Sequence, residues 1–79
     1  MEVKVLAFGI AKDIFGSREI TIQPGGETVE QLKMELEQRY PALKELASYM
    51  IAVNDEYATN HTTINVTDEI AIIPPVSGG

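Results

Sequence analysis

Residues 28–41 constrain this chain most, because apolar residues recur there at helical spacing between a start signal and a stop signal. Thr28 precedes Gln31 by three positions, the capping-box spacing. Val29, Leu32 and Leu36 fall on one face of a 3.6-residue period. Glu35 and Arg39 stand four apart and add slight support. Pro41 disfavours helical geometry at Tyr40 and so ends the element. Its missing N–H suits the first turn of a second, shorter helix, over residues 42–48. One helix cannot bury an apolar stripe alone, so the rest of the chain must supply a second layer.

Strand-forming segments lie on both sides. Val3-Lys4-Val5-Leu6-Ala7-Phe8 puts Val3, Val5 and Ala7 on one side of a pleat and Lys4, Leu6 and Phe8 on the other. Lys4 marks the second side as the wetter one, and Phe8 is there either a shielded surface aromatic or part of a contact patch. Residues 10–15 can form a helical turn closed by Gly16, where a left-handed residue costs least. Glu19-Ile20-Thr21-Ile22 alternates as a second strand, ended by Pro24-Gly25-Gly26. After the helices, Met50-Ile51-Ala52-Val53 reads as a buried strand, Asn54-Asp55 as a turn, and Tyr57 as the start of a return. Residues 62–66 have the composition of a short strand. In the last strand Ile70 and Ile72 point one way and Ala71 and Ile73 the other. Strands grouped at both ends around one long helix predict an α+β domain, with the helix laid across a mixed sheet.

A chain of 79 residues makes one small domain, and a domain of that size hides only about 60–65% of its unfolded surface. Thin cores are often braced by disulfides, a metal or a partner. The chain has no cysteine, which excludes disulfides, a thiol nucleophile, an iron–sulfur cluster and a Cys-based zinc site. A metal would have to rely on His61 and scattered carboxylates, so neither a metal nor a stably bound cofactor is expected. Twelve acidic residues oppose six basic ones, and Lys4, Lys12, Arg18, Lys33, Arg39 and Lys44 are spread singly. Nucleic acid and anionic membrane are therefore not expected partners. No secretory pattern or bilayer-length apolar run is present, so the expectation is a cytoplasmic protein. Two glycosylation-like triplets, starting at Asn60 and Asn65, are read as chance.

Side-chain catalysis finds little support. Ser17, Ser48 and Ser77 have no His or Lys at an activating spacing. Gly25-Gly26 lacks the Lys-Ser/Thr of a phosphate loop and reads as a turn. Glu35 with Glu37, and Asp55 with Glu56, read as solvated faces. The last residues are different. Pro74-Pro75 after a strand removes ladder donors and directs the chain away from the sheet, so residues 1–73 form the domain and 74–79 an extended tail. Such a tail reaches about 20 Å. Gly78 and Gly79 have no side chains to obstruct a narrow slot. A carboxylate at Gly79 is ionised, with a reference pKa of about 3.5, and is a poor electrophile. As a mixed anhydride with AMP it can accept an amine or sulfur.

The chain resembles the small, sulfur-carrying subunits of molybdopterin synthase, within the ubiquitin-like β-grasp group. The resemblance rests on Val3-Lys4-Val5-Leu6-Ala7-Phe8, Thr28-Val29-Glu30, Ala52-Val53-Asn54 and, most specifically, on the apolar strand followed by Pro74-Pro75-Val76-Ser77-Gly78-Gly79. It departs from the family pattern over the polar residues 60–67. It implies a carrier subunit of an enzyme complex, with the acid–base residues on a large subunit. A partner of the ubiquitin-activating type would use ATP to adenylate Gly79, and a sulfur donor would convert it to a thiocarboxylate. That sulfur would pass to a cyclic pyranopterin precursor to form the dithiolene of molybdopterin. Two sulfurs per product fit a heterotetramer, with two carriers on a dimer of large subunits. Phe8, Tyr57 and Ile73 match the family's exposed apolar contact positions, with Pro74, Pro75, Val76 and Ser77 leading the tail into the partner. Alternative readings are a sulfur carrier for thiamine or another thiolated product, a ubiquitin-like protein modifier, and a β-grasp binding module whose Gly-Gly is incidental.

Overall fold

The computed structural model describes residues 2–46 and 48–74. Its elements follow the hydrophobic pattern closely. β1 (Val3–Ala7) leads into α1 (Ile10–Phe15), which ends on Gly16 in the left-handed conformation at φ 76°. β2 (Glu19–Ile22) precedes α2 (Val29–Arg39), and Pro41 opens a 3-10 helix, Pro41–Glu45. That helix is shorter and tighter than the expected α-helical turns over 42–48, a geometry confined to short connectors. β3 (Met50–Val53), β4 (Glu56–Tyr57) and β5 (Glu69–Ile73) complete the chain.

The strands form one sheet in the order β2-β1-β5-β3-β4. β1 pairs in parallel with β5, and the other neighbours are antiparallel, so the sheet is mixed as expected. Val3, Val5, Ala7, Ile22, Ile51, Val53, Ile70 and Ile72 turn inward and cluster with Val29, Leu32 and Leu36 of α2. α1 adds Ala11 and Phe15, and the Phe15 ring meets Tyr40 at 4.7 Å between centroids. Tilted aromatic contacts of this kind add a modest increment beyond area burial. Asn54 and Asp55 both have positive φ, 54° and 68°, giving the two-residue turn whose twist suits the β3–β4 hairpin.

Residues 62–66 do not form a strand. Thr63 makes a single bridge to Thr28, and Ile64 is buried in the core. The reason lies in the start of α2, where the first four N–H groups lack partners within the helix. The Asn60 carbonyl accepts from Glu30 N at 3.1 Å and the Thr62 carbonyl from Val29 N at 2.9 Å. Thr28 Oγ1 accepts from Gln31 N at 3.4 Å, and the Thr28 carbonyl takes the first regular helical bond, from Leu32 N at 3.0 Å. The loop serves as part of the helix cap, so its backbone groups are not free for a ladder.

Farther along α2, Tyr49 donates its phenol to Glu37, while Lys33 Nζ lies 5.2 Å from the ring centroid. Burial, then the hydrogen bond to Glu37 and its charge, push the phenol well above its ordinary range, so Tyr49 stays neutral and ties α2 to the segment before β3. Among the described residues, Lys4 and Glu19 form the ion pair, at 4.0 Å, and Glu35 and Arg39 do not close one.

Candidate functional site

Because side chains alternate along each strand, the strand registers determine the face turned away from α2. Leu6 stands opposite Glu19 on one side and Ala71 on the other, Ala71 opposite Ala52, and Ala52 opposite Tyr57. This row crosses all five strands, about 19 Å at ordinary strand spacing. One end of the face is polar: Lys4 pairs with Thr21 and Glu69. The other end is apolar, where Ile73 stands opposite Met50 and Phe8 follows the last residue of β1. Phe8 is 52% exposed, Met50 49% and Tyr57 66%, and Ile73 is partly covered.

The apolar end is also where β5 runs out into Pro74. Aromatic and Met side chains at such exposure, gathered on one face, are the composition of an interface core. Phe8, Tyr57 and Ile73 thus lie on the face where alternation predicted Phe8 and Ile73. Leu6, Met50, Ala52 and Ala71 were not singled out from the sequence. Alternation in β3 already opposes Met50 and Ala52 to Ile51 and Val53, but it does not say which strands lie beside them.

A groove of ≈ 500 Å³ borders Phe8, lined also by Leu6, Ala7, Gly9, Lys12, Arg18 and Glu19. Two of the six basic residues therefore lie beside the apolar end. Gly9 has φ 56° and ψ −131°, and a Cβ placed there would lie 3.2 Å from Pro74 Cγ. The first residue of the tail thus rests against the turn that ends β1. Pro75, Val76, Ser77, Gly78 and Gly79 lie outside the described residues.

Other candidate chemistry is engaged locally. Ser17 Oγ donates to the Glu19 carbonyl at 2.7 Å, and His61 lies in an exposed loop. Among the described residues, no group of three His, Asp or Glu side chains is placed to hold a metal. No described helix is long and apolar enough to cross a membrane.

Residues 5–79 match the ThiS family. This chain belongs to that family. It is 40% identical over 81 residues to the molybdopterin synthase sulfur carrier subunit of Arabidopsis thaliana, covering all of this chain and 84% of that protein. Among solved structures, the small archaeal modifier protein 1 of Methanosarcina acetivorans superposes with a TM-score of 0.82 at 31% identity, over 99% of this chain and 96% of that one. A chain from the complex of subunits 1 and 2 of the molybdopterin-converting factor of Helicobacter pylori gives 0.70 at 29% identity, over the full length of both. The ThiS-family chain therefore has the ubiquitin-like β-grasp fold, an α+β sheet with one main helix across it. Its apolar outer end and its root for the tail lie side by side on that fold.

Proposed function

We propose that this chain is the sulfur carrier of molybdenum cofactor biosynthesis, with Gly79 as the reacting terminus. The observation that carries the reading is similarity along the whole of this chain, at 40% identity, to a molybdopterin synthase sulfur carrier subunit. The apolar end of the outer face beside Pro74 supports it, because a carrier must present a docking surface and a tail together.

The chemistry follows from the carboxylate. At neutral pH it is ionised and unreactive toward nucleophiles. An adenylating partner of the ubiquitin-activating type joins it to AMP and releases pyrophosphate from ATP. A sulfur donor at the sulfide level then attacks the carbonyl carbon, AMP leaves, and a thiocarboxylate remains. ATP is consumed by that partner, and the sulfur is held covalently at Gly79. In the large subunit of molybdopterin synthase, the thiocarboxylate sulfur attacks a side-chain carbon of the cyclic pyranopterin precursor and displaces the oxygen substituent on that carbon. Water then cleaves the Gly79–sulfur bond, and the carboxylate returns for another cycle. Two such deliveries build the dithiolene, which suits two carriers on a dimeric large subunit. The setting of this reading is the cytoplasm.

Phe8, Tyr57 and Ile73 are assigned to the large-subunit contact, and Pro74, Pro75, Val76, Ser77 and Gly78 to entry of the tail. The complex of subunits 1 and 2 from Helicobacter pylori supports a two-subunit arrangement of this kind. Similarity to a small archaeal modifier protein favours a second reading, in which activated Gly79 is joined to lysine amines. Reconstitution with the large subunit, the adenylating enzyme, ATP and a sulfur donor separates the two. Sulfur at Gly79 and molybdopterin formation support the carrier; isopeptide-linked lysines without molybdopterin support the modifier.

A further inference from the structure

Gly9 and Pro74 meet where the parallel ladder between β1 and β5 runs out. Ala7 stands opposite Ile72, so continuing the register two positions brings residue 9 opposite residue 74. Pro74 has no N–H and cannot donate another rung. Its ring instead lies so close to Gly9 that an added Cβ would approach Pro74 Cγ to 3.2 Å, inside the roughly 3.5–4.0 Å of comfortable carbon contact. Gly9 also adopts φ 56° and ψ −131°, a conformation natural to glycine and strained for residues with a Cβ. Its backbone is held in place by the first turn of α1. The Phe8 carbonyl accepts from Ala11 N and the Gly9 carbonyl from Lys12 N, both at 3.1 Å, while buried Ala11 and Phe15 anchor that helix.

We propose that Gly9 is a positioning residue, whose bare and clamped Cα sets the direction in which the chain leaves Pro74 and so the efficiency with which Gly79 is adenylated. This rests on the reading of Gly79 as the reacting terminus. A Cβ at position 9 would force the Pro74 ring to give by a few tenths of an ångström, which shifts the point from which the chain leaves the domain. Reacting atoms must come within about 3–3.5 Å, and a misplacement of about 1 Å can cost about a hundredfold in rate. A side chain at position 9 alters the root of the tail while the Phe8 and Tyr57 side chains are retained, so the expected effect is on turnover more than on partner binding.

The test follows pyrophosphate release during adenylation of the full chain by an adenylating enzyme of the ubiquitin-activating type. Gly9→Ala, Gly9→Val, Pro74→Ala and the Gly9→Val/Pro74→Ala double variant are compared, with folding followed by thermal melting. Gly9→Val is expected to lower kcat about tenfold with KM within about twofold, and Gly9→Ala to fall between it and the parent. With Pro74→Ala the obstructing Cγ is gone and the Gly9→Val loss in kcat shrinks to about twofold, while the backbone strain at position 9 persists in both backgrounds and is read separately as a lowered melting temperature. An undiminished tenfold loss in the Pro74→Ala background, a rise in KM at constant kcat, or an unimpaired Gly9→Val chain overturns the proposal. If Gly9→Val does not fold, Gly9→Ala in the two Pro74 backgrounds makes the same comparison. An unsubstituted chain that is never adenylated overturns the functional reading and this proposal together, a result distinct from a variant that matches an active parent.

Discussion

Asn54 holds Asp68 and its neighbour with both ends of one side-chain amide: Nδ2 donates to Asp68 Oδ1 at 3.0 Å, while Oδ1 accepts from Glu69 N at 2.9 Å. Asn54 N also donates to the Glu69 carbonyl at 2.8 Å, which fixes the β3–β4 turn to the start of β5. The backbone N–H of Asn65 on Oδ2, at 2.8 Å, and then the Asn54 amide hold the Asp68 carboxyl below its usual range. A depressed folded-state pKa gives stabilisation that is fully present above the unfolded value and is lost as pH falls through the folded value. Asp68→Asn presents an amide where the carboxylate accepted two donors. Its melting temperature is expected to lie below the parent's at pH 7, with the gap narrowing below about pH 4. A gap unchanged between pH 7 and pH 3 contradicts the assignment.

The start of α2 gives a second prediction. Thr28 Oγ1 serves the Gln31 N–H, while loop carbonyls serve those of Val29 and Glu30. Thr28→Ala should therefore cost about 1 kcal/mol and no more, a fall in melting temperature of roughly 4–8 °C for a domain of this size. Thr28→Ser retains the acceptor and should recover most of it. Equal losses for Ala and Ser would place the effect elsewhere than the cap.

The third prediction concerns the outer face. Phe8 and Tyr57 are more than half exposed, so Phe8→Ala and Tyr57→Ala should each change stability by less than about 0.5 kcal/mol. If they anchor the large subunit, each should weaken its binding about thirtyfold, the scale of an interface hot spot. Met34, exposed on α2, serves as the control, and Met34→Ala should bind as the parent does. Calorimetric titration with the large subunit checks this. Parent-like affinity for both aromatic variants removes these residues from the interface.

What the sequence revealed is what local pattern encodes. The Thr28–Gln31 spacing, the Val29-Leu32-Leu36 stripe and the alternation in β1 and β5 placed the helix, its buried face and the outward turn of Phe8 and Ile73. Leu6, Ala71, Ala52 and Tyr57 share a row only because β1 lies parallel to β5 and β5 antiparallel to β3. Those registers are set between distant segments, and no local periodicity reports them. The contact of Gly9 with Pro74 depends on the same pairing. Residues 62–66 have the composition of a strand, but Thr62 and Ile64 commit their backbone groups to Val29 N and the Glu27 carbonyl at the start of α2, which no local pattern reports.

The most direct test of the carrier reading is the intact mass of the protein after incubation with ATP, the adenylating enzyme and a sulfur donor, followed by fragmentation to locate any change. The account predicts the mass gain of one oxygen-to-sulfur exchange, confined to Gly79 and dependent on ATP. An unchanged mass, or Gly79 recovered only in isopeptide bonds to lysine, contradicts it.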